Sequence, residues 1–276
     1  MIDFLGIGAQ KSGTSWVYAC LYEHPEICAP IKELHFFSRP RFEKGKEWYE
    51  RHFKKCAAGK KVGEFSTSYL FSKEAPQRIF DLYPDIKLIA ILRNPVTRAV
   101  SQYKNAIKAG EINEEKTFAA YMAQEPSVCA QGMYFQQLEH YTSLFAREQI
   151  LLLVYEDSKK DPKAFMQKIY RFLGVDDTFV PSMLYSEINV ARTPKVVTLD
   201  RVMHYSAEFL RSVGLDKFVY HIRKSGLPDI VRTHNTKSEQ PVREAEYAEL
   251  KHLFIDDTKR LSVLLNRDLN TEWNSI

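Results

Sequence analysis

One lysine, two glycines and three hydroxyl residues crowd into eight positions near the start of the chain, Gly8-Ala9-Gln10-Lys11-Ser12-Gly13-Thr14-Ser15. A loop of this kind binds anions when its backbone N–H groups and the positive end of a following helix converge. The nucleotide pattern G-x-x-x-x-G-K-[ST] is nearly met, because Gly8 and Gly13 carry its spacing. Thr14, however, stands where that pattern has lysine, and the lysine sits inside the loop as Lys11. The stretch reads as a phosphate loop rebuilt for a different anion, or as a glycine-rich turn that binds nothing.

Two further groups could do chemistry. Arg93-Asn94-Pro95 follows an apolar run, and Ser101 lies seven residues past Asn94, two helical turns along the same face. An arginine there is placed for an anionic ligand or for a structural ion pair. A magnesium-dependent nucleotide hydrolase would often carry aspartate after such a strand. The second group is Lys32, Glu33 and His35, set among the apolar residues of Ala29 to Ser38. If that stretch is extended, side chains 33 and 35 share one face, while Leu34 and Phe36 turn to the core. It reads as a proton-transfer pair or as the charged edge of a strand.

The elements that must position these groups are readable from periodicity. Phe4 to Gly8 is a short buried strand, and Trp16, Val17, Cys20 and Leu21 recur at helical spacing after the loop. Glu43 to Lys55 reads as a surface helix, Lys61 to Leu70 as a strand ending in hydroxyl residues, and Ala75 to Tyr83 as a helix stopped by Pro84. Ile86 to Leu92 and Gln149 to Val154 are apolar runs typical of parallel strands covered on both faces. After Asn94 as N-cap and Pro95 at the first helical position, Val96, Ala99, Val100, Tyr103 and Ile107 form one face, with Arg98, Ser101, Lys104 and Lys108 away from it. Helices are expected over Thr117–Gln124, Met133–Arg147 and Asp161–Leu173, with Gly174 closing the last. A long helix runs from about Val242 to Leu265, with a stripe of Leu250, Leu253, Phe254, Leu261, Leu264 and Leu265. Alternating strands and helices through residue 173 predict an α/β fold, a three-layer arrangement with a central parallel sheet flanked by helices. Ligands bind such sheets beyond the carboxyl ends of the strands, so Lys11 to Ser15, Lys32 to Ser38, Glu64 to Tyr69 and Arg93 to Ser101 should share one crevice.

At 276 residues the chain is long enough for one large domain. Its 45% hydrophobic and 27% charged content is ordinary for a globular protein. A net charge of +4 is too small to argue for nucleic acid, but it suits an anionic ligand. Cys20, Cys28, Cys56 and Cys129 have no CxxC spacing and no histidine partners, which leaves no zinc motif. As free thiols they would suit a reducing compartment, and no leader or membrane-length apolar run is seen, so a cytoplasmic protein is expected. Residues 192–237 hold nine Lys/Arg against four Asp/Glu. That segment reads as a solvated helical region or as a lid over an anionic ligand.

Taken together, the motifs resemble a family. Gly8 to Ser15 is similar to the 5′-phosphosulfate loop of sulfotransferases that use 3′-phosphoadenosine 5′-phosphosulfate (PAPS). Leu92-Arg93-Asn94-Pro95, with Arg98, Ala99 and Ser101, resembles their 3′-phosphate motif. Lys32-Glu33-Leu34-His35-Phe36-Phe37 and Gly63 to Leu70 resemble stretches of the heparan sulfate sulfotransferase branch, and Leu265 to Leu269 before Trp273 resembles the end of bacterial members. Phe65, Thr67 and Ser38 depart from the glycan-modifying animal enzymes, which often have lysine, proline and aspartate there. These departures, read as lying on the acceptor side, put a heparan-like acceptor in doubt.

The resemblance implies one sulfotransferase domain, with a PAPS-binding core over 1–175 and a helical acceptor or lid region over 176–276. It implies in-line transfer of a sulfuryl group to a hydroxyl or amine of a saccharide or small metabolite, leaving 3′-phosphoadenosine 5′-phosphate (PAP), without a metal. Lys11 and the N–H groups of Ser12, Gly13, Thr14 and Ser15 would hold the 5′-phosphosulfate, Arg93 and Ser101 the 3′-phosphate, and Arg192 and Lys195 the adenosine end. Glu33 would be the base, with His35 orienting the acceptor or sharing the proton. A P-loop kinase or NTPase and a non-catalytic PAP-binding protein are the alternatives. No membrane span and no nucleic-acid partner are expected.

Overall fold

The structure, a computed structural model, describes residues 2–113, 115–186, 193–194, 236–237 and 244–274. Five strands form one sheet: β1 (Phe4–Gly8), β2 (Ile27–Cys28), β3 (Lys61–Phe65), β4 (Lys87–Leu92) and β5 (Ile150–Val154), in the order β2-β3-β1-β4-β5. Every neighbouring pair is parallel, with Phe4 opposite Gly63 and Lys87, and Leu92 opposite Val154. The loops after β1, β3, β4 and β5 therefore emerge at one edge, as the topology of a parallel sheet requires.

Each face of the sheet has its own core. Leu5, Ile7, Leu88, Ala90 and Leu92 pack on one side with Phe36, Phe37, Tyr69 and Tyr141. Phe4, Ile89, Ile91 and Phe65 pack on the other with Val17, Leu21, Phe165 and Ile169. The period-two alternation of β4 between these clusters explains why its sequence is a continuous apolar run. A side chain on Gly6 would meet the Phe65 ring at 2.0 Å, so the glycine there makes room for that ring.

The helices in chain order are α1 (Thr14–Glu23), α2 (Lys46–Glu50), α3 (Ala75–Leu82), α4 (Pro95–Ala109), α5 (Phe118–Gln124), α6 (Pro126–Ala130), α7 (Tyr134–Thr142), α8 (Tyr155–Lys160), α9 (Pro162–Leu173), α10 (Glu244–Leu265) and α11 (Leu269–Asn274). Asn94 Oδ1 accepts from the N–H groups of Val96 at 2.9 Å and Thr97 at 3.2 Å, which makes it the N-cap expected for α4. Asp161 caps α9 in the same way, and Gly174 ends it in the left-handed region at φ 75°.

Several expectations need correction. The stretch 43–55 is not one surface helix: it breaks into a 3₁₀ turn, α2 and a second 3₁₀ turn, and it buries Tyr49 and Phe53. The helix expected to reach Arg147 stops at Thr142, and α6 and α8 were not foreseen. Arg98 is fully buried, not solvent-facing, and donates to the carbonyl of Val128 and to Gln131. Leu253 falls off the apolar stripe of α10 and is exposed. Cys28 and Cys56 form a disulfide, with Cα atoms 5.7 Å apart, and are not free thiols. Cys20 and Cys129 are the free pair.

The chain divides into two compact units. The first comprises Met1–Arg98, Ser127–Asn189 and Glu249–Ile276 and contains the sheet; the second comprises Ala99–Pro126 and Val190–Ala248. In the second, Tyr103 packs on Phe118 and Tyr121 and donates to the carbonyl of Lys116. Thr193–Pro194 there pairs antiparallel with Thr236–Lys237.

Candidate active site

The loop after β1 has the build of an anion cradle. Lys11 takes a left-handed backbone, φ 67°, and Gly13 does too, φ 77°. Gly13 precedes α1 without any side-chain cap, although its carbonyl accepts from Trp16 and Val17. Among the described residues, the N–H groups of Ser12, Gly13, Thr14 and Ser15 donate to no protein acceptor. Ser12 is fully buried, its hydroxyl beside the buried Tyr134 hydroxyl. Buried donors are ordinarily satisfied, so this set fits an anion seated on the loop. Glycine is required at position 13 for a second reason: a Cβ there would meet the Tyr155 ring at 2.7 Å.

Arg93 emerges from β4 beside this loop. Its Nη1 donates to the Lys11 carbonyl at 3.0 Å and its Nε to Thr97 Oγ1 at 3.1 Å. Its guanidinium lies 4.9 Å from the centre of the Tyr155 ring. All three partners are neutral, and no carboxylate pairs with Arg93 among the described residues. Among the described residues, the ion-pair alternative finds no carboxylate partner. Tyr155 was missed from sequence; its one signal was its place immediately after a buried strand. Ser101 is half-buried on α4 within the second unit. Arg192 and Lys195 lie outside the described residues.

Glu33 and His35 do meet, but not by strand alternation. Both have left-handed backbones, φ 64° and 55°, so the segment is a looped ribbon and not an extended edge. Lys32 bridges to Phe65, and the Glu33 N–H donates to the Phe65 carbonyl at 2.6 Å. The turn then brings His35 Nε2 to 3.3 Å from Glu33 Oε2. Leu34 and Phe36 are buried as expected. Lys32 Nζ pairs with Glu33 Oε1 at 2.8 Å, and Thr67 donates to the carboxylate from its N–H at 3.1 Å and from its hydroxyl at 3.1 Å. Burial pushes the His35 imidazole below its ordinary range; Glu33 opposes this, while Arg39, Arg41 and Lys32 reinforce it.

Beneath this pair lies a residue that the sequence places in the shared crevice without a role of its own. Glu64 is fully buried and accepts from Tyr69 OH at 2.5 Å, Ser66 Oγ at 2.7 Å and Tyr49 OH at 3.3 Å. Ser66 Oγ accepts in turn from the His35 N–H, and the Tyr69 hydroxyl from the Phe36 N–H. Burial pushes the Glu64 carboxyl up to about 7, against the lowering effect of its hydroxyl donors. The two clusters are joined at Gly8. A Cβ there would lie 3.3 Å from the Thr67 carbonyl and 2.7 Å from Leu70 Cβ, so the turn that holds Glu33 packs on the start of the anion loop.

A comparison with known sequence families decides what this arrangement is: the sulfotransferase domain matches residues 2–225. The chain belongs to that family. Among curated sulfotransferases it is 33% identical over 175 residues to human heparan sulfate glucosamine 3-O-sulfotransferase 6, which is 61% of this chain and 51% of the relative. It is 34% identical over 176 residues to human heparan sulfate glucosamine 3-O-sulfotransferase 3B1, covering 61% and 45%. The chain thus spans about half the length of these relatives. Among solved structures, a sulfotransferase from Alicyclobacillus acidocaldarius aligns with a TM-score of 0.73 at 26% identity, over 99% of both chains.

The three departures from the glycan-modifying pattern now separate. Phe65 is fully buried in the core that holds Phe4 and Val17. Thr67 and Ser38 stay with the cluster. Thr67 supplies the donors that hold Glu33, and a proline there would lack the N–H. Ser38 Oγ is 2.6 Å from Ser68 Oγ, which lies 2.7 Å from His35 Nδ1.

Proposed function

We propose that this sulfotransferase moves a sulfuryl group from PAPS to a hydroxyl of a saccharide acceptor. The observation that carries the reading is Arg93, a half-buried cation whose partners among the described residues are neutral, braced on the backbone of a loop whose N–H groups find no acceptor among those residues. A ligand with phosphates at both ends, one on the loop and one beside Arg93, would use both groups. Ser12 to Ser15 would hold the 5′ side through their N–H groups, and Arg93 would recognise the 3′-phosphate. Bound there, PAPS supplies the sulfuryl group.

The protein's own part is electrostatic and positional. Lys11 and the N-terminus of α1 meet the charge that develops on the leaving phosphate oxygen. Glu33, held by Thr67 and Lys32, takes the proton of the acceptor hydroxyl as that oxygen attacks sulfur. His35 fixes the other side of the carboxylate. The names of the curated relatives, which specify a glucosamine 3-hydroxyl in heparan sulfate, support a sugar hydroxyl as acceptor. The Cys28–Cys56 disulfide supports an oxidising compartment over the cytoplasm expected from sequence. No helix among the described residues is long and apolar enough to cross a membrane.

Calorimetry with PAP, ATP and 5′-AMP, each with and without magnesium, tests the donor side. PAP should bind most tightly and without need of magnesium. Tighter binding of ATP, with magnesium-dependent turnover, would return the kinase reading. Transfer from PAPS to a glucosamine-containing oligosaccharide then tests the acceptor and separates an enzyme from a non-catalytic PAP binder.

A further inference from the structure

We infer that Ser68 is a positioning residue: it fixes the tautomer of His35, so that the ring presents Nε2–H to Glu33. The inference rests on the proposed role of Glu33 as the base. Its geometry is a chain of four side chains. Ser38 Oγ lies 2.6 Å from Ser68 Oγ, Ser68 Oγ 2.7 Å from His35 Nδ1, and His35 Nε2 3.3 Å from Glu33 Oε2.

The direction of the protons follows from donor and acceptor chemistry. A carboxylate only accepts, so a bare Nε2 facing Glu33 would set lone pair against lone pair. Nε2 must carry a proton. Burial, aided by Arg39, Arg41 and Lys32, lowers the His35 affinity for a second proton, and Glu33 opposes that only in part. With Nε2–H turned toward Glu33, the neutral ring has Nδ1 as its acceptor. Ser68 supplies its proton to Nδ1, and its own oxygen accepts from Ser38. All hydrogen bonds in the chain point toward Glu33.

The arrangement gives His35 one orientation and one tautomer. The backbone supports it separately, because the His35 N–H is held by Ser66 Oγ at 2.8 Å. Removing the Ser68 hydroxyl should free the ring's proton distribution without moving the loop. Ser68 itself is half-buried at the turn, so its loss should leave the fold intact.

The test is long-range nitrogen–proton NMR on histidine-labelled protein, with His35→Asn assigning the signal among the eight histidines. Wild type should show a single neutral tautomer with Nε2 protonated. Ser68→Ala should show both tautomers, with the two ring-nitrogen shifts moving together, and Ser68→Thr should restore the wild-type pattern. PAP affinity, measured alongside, should stay unchanged and report the fold. With a glucosamine-containing oligosaccharide and PAPS, kcat of Ser68→Ala should fall roughly five- to tenfold, the worth of about one net hydrogen bond. Should Ser68→Ala fail to fold, Ser38→Ala should give the same mixing to a smaller degree. An unchanged Nε2–H tautomer in the folded Ser variants overturns the inference. Tautomer mixing without sulfuryl transfer by the wild type would leave the inference standing and remove the proposed function.

Discussion

Arg93 donates through Nη1 to the main-chain carbonyl of Lys11, 3.0 Å away and 82 positions earlier in sequence. One side chain therefore braces the anion loop and, in the proposed reading, also binds the 3′-phosphate. Arg93→Ala should weaken PAP binding by roughly tenfold to more than a hundredfold, since a hydrogen bond to a charged group contributes ~1.5–3 kcal/mol. Because the brace is lost too, 5′-AMP should also weaken, but less. Calorimetry on both ligands checks the pair; equal losses would assign Arg93 to bracing alone.

Lys11 sits within the cradle on a left-handed backbone, which alanine shares at the same cost. Lys11→Ala should cut turnover far more than it weakens PAP binding, because the charge on the leaving oxygen grows only toward the transition state. Single-turnover rates set against PAP affinity check this. A variant that loses affinity but keeps its rate would make Lys11 an anchor for the bound nucleotide.

The parallel sheet and the anion loop were legible in sequence because their signals are local. Apolar runs of strand length and glycines at fixed spacing need no tertiary knowledge. The meeting of Glu33 and His35 was also foreseen, but for the wrong reason: period-two alternation stood in for two left-handed residues that no propensity predicts. The disulfide was not legible, because spacing alone does not reveal which cysteines pair. Cys28 ends β2 beside Val62 of β3, and the second 3₁₀ turn delivers Cys56 to it. Tyr155, Ser66, Ser68 and Glu64 were invisible as partners because each acts through a contact made across the fold. Arg98 shows the converse, a charged residue placed on a solvent face that the fold instead buries against main-chain carbonyl and amide acceptors.

Glu33 is held by Lys32, His35 and both donors of Thr67. Glu33→Gln keeps the shape and removes the basicity. Turnover should fall by ~10²–10⁴, the usual worth of general base catalysis. PAP affinity should not change, since none of these contacts belongs to the anion loop. Near-normal turnover would move the base to His35.

The disulfide closes a loop of 28 residues that contains Glu33 and His35. Chain-entropy arguments put the stabilisation from such a closure at about 3–4 kcal/mol. Cys28→Ser with Cys56→Ser, or reduction of the native protein, should lower stability to denaturant by about that amount. Activity should fall with it, as the loop bearing the base gains freedom. Chemical denaturation with and without reductant is the measurement, and coincident curves would show that the pairing adds nothing.

Glu64 gives a pH dependence whose sign can be worked out. Its carboxyl, ordinarily near 4.5, is pushed up to about 7 in the fold by burial. Below pH 4.5 it is protonated in both states and contributes no pH dependence. Between 4.5 and 7 the unfolded chain releases its proton while the folded one keeps it, so stability falls as pH rises. Above 7 the cost is complete, roughly 3 kcal/mol at 1.36 kcal/mol per unit. His35 works the other way: its affinity for a proton is lowered in the fold, so its contribution rises with pH until the unfolded histidine has titrated. Comparison with Glu64→Gln isolates the carboxyl, because that variant retains His35. Denaturant unfolding from pH 4 to 8 should therefore show wild type losing stability relative to Glu64→Gln across that window. Parallel curves for the two proteins would mean that Glu64 is ionised throughout, its charge held by the hydroxyls of Tyr69, Ser66 and Tyr49.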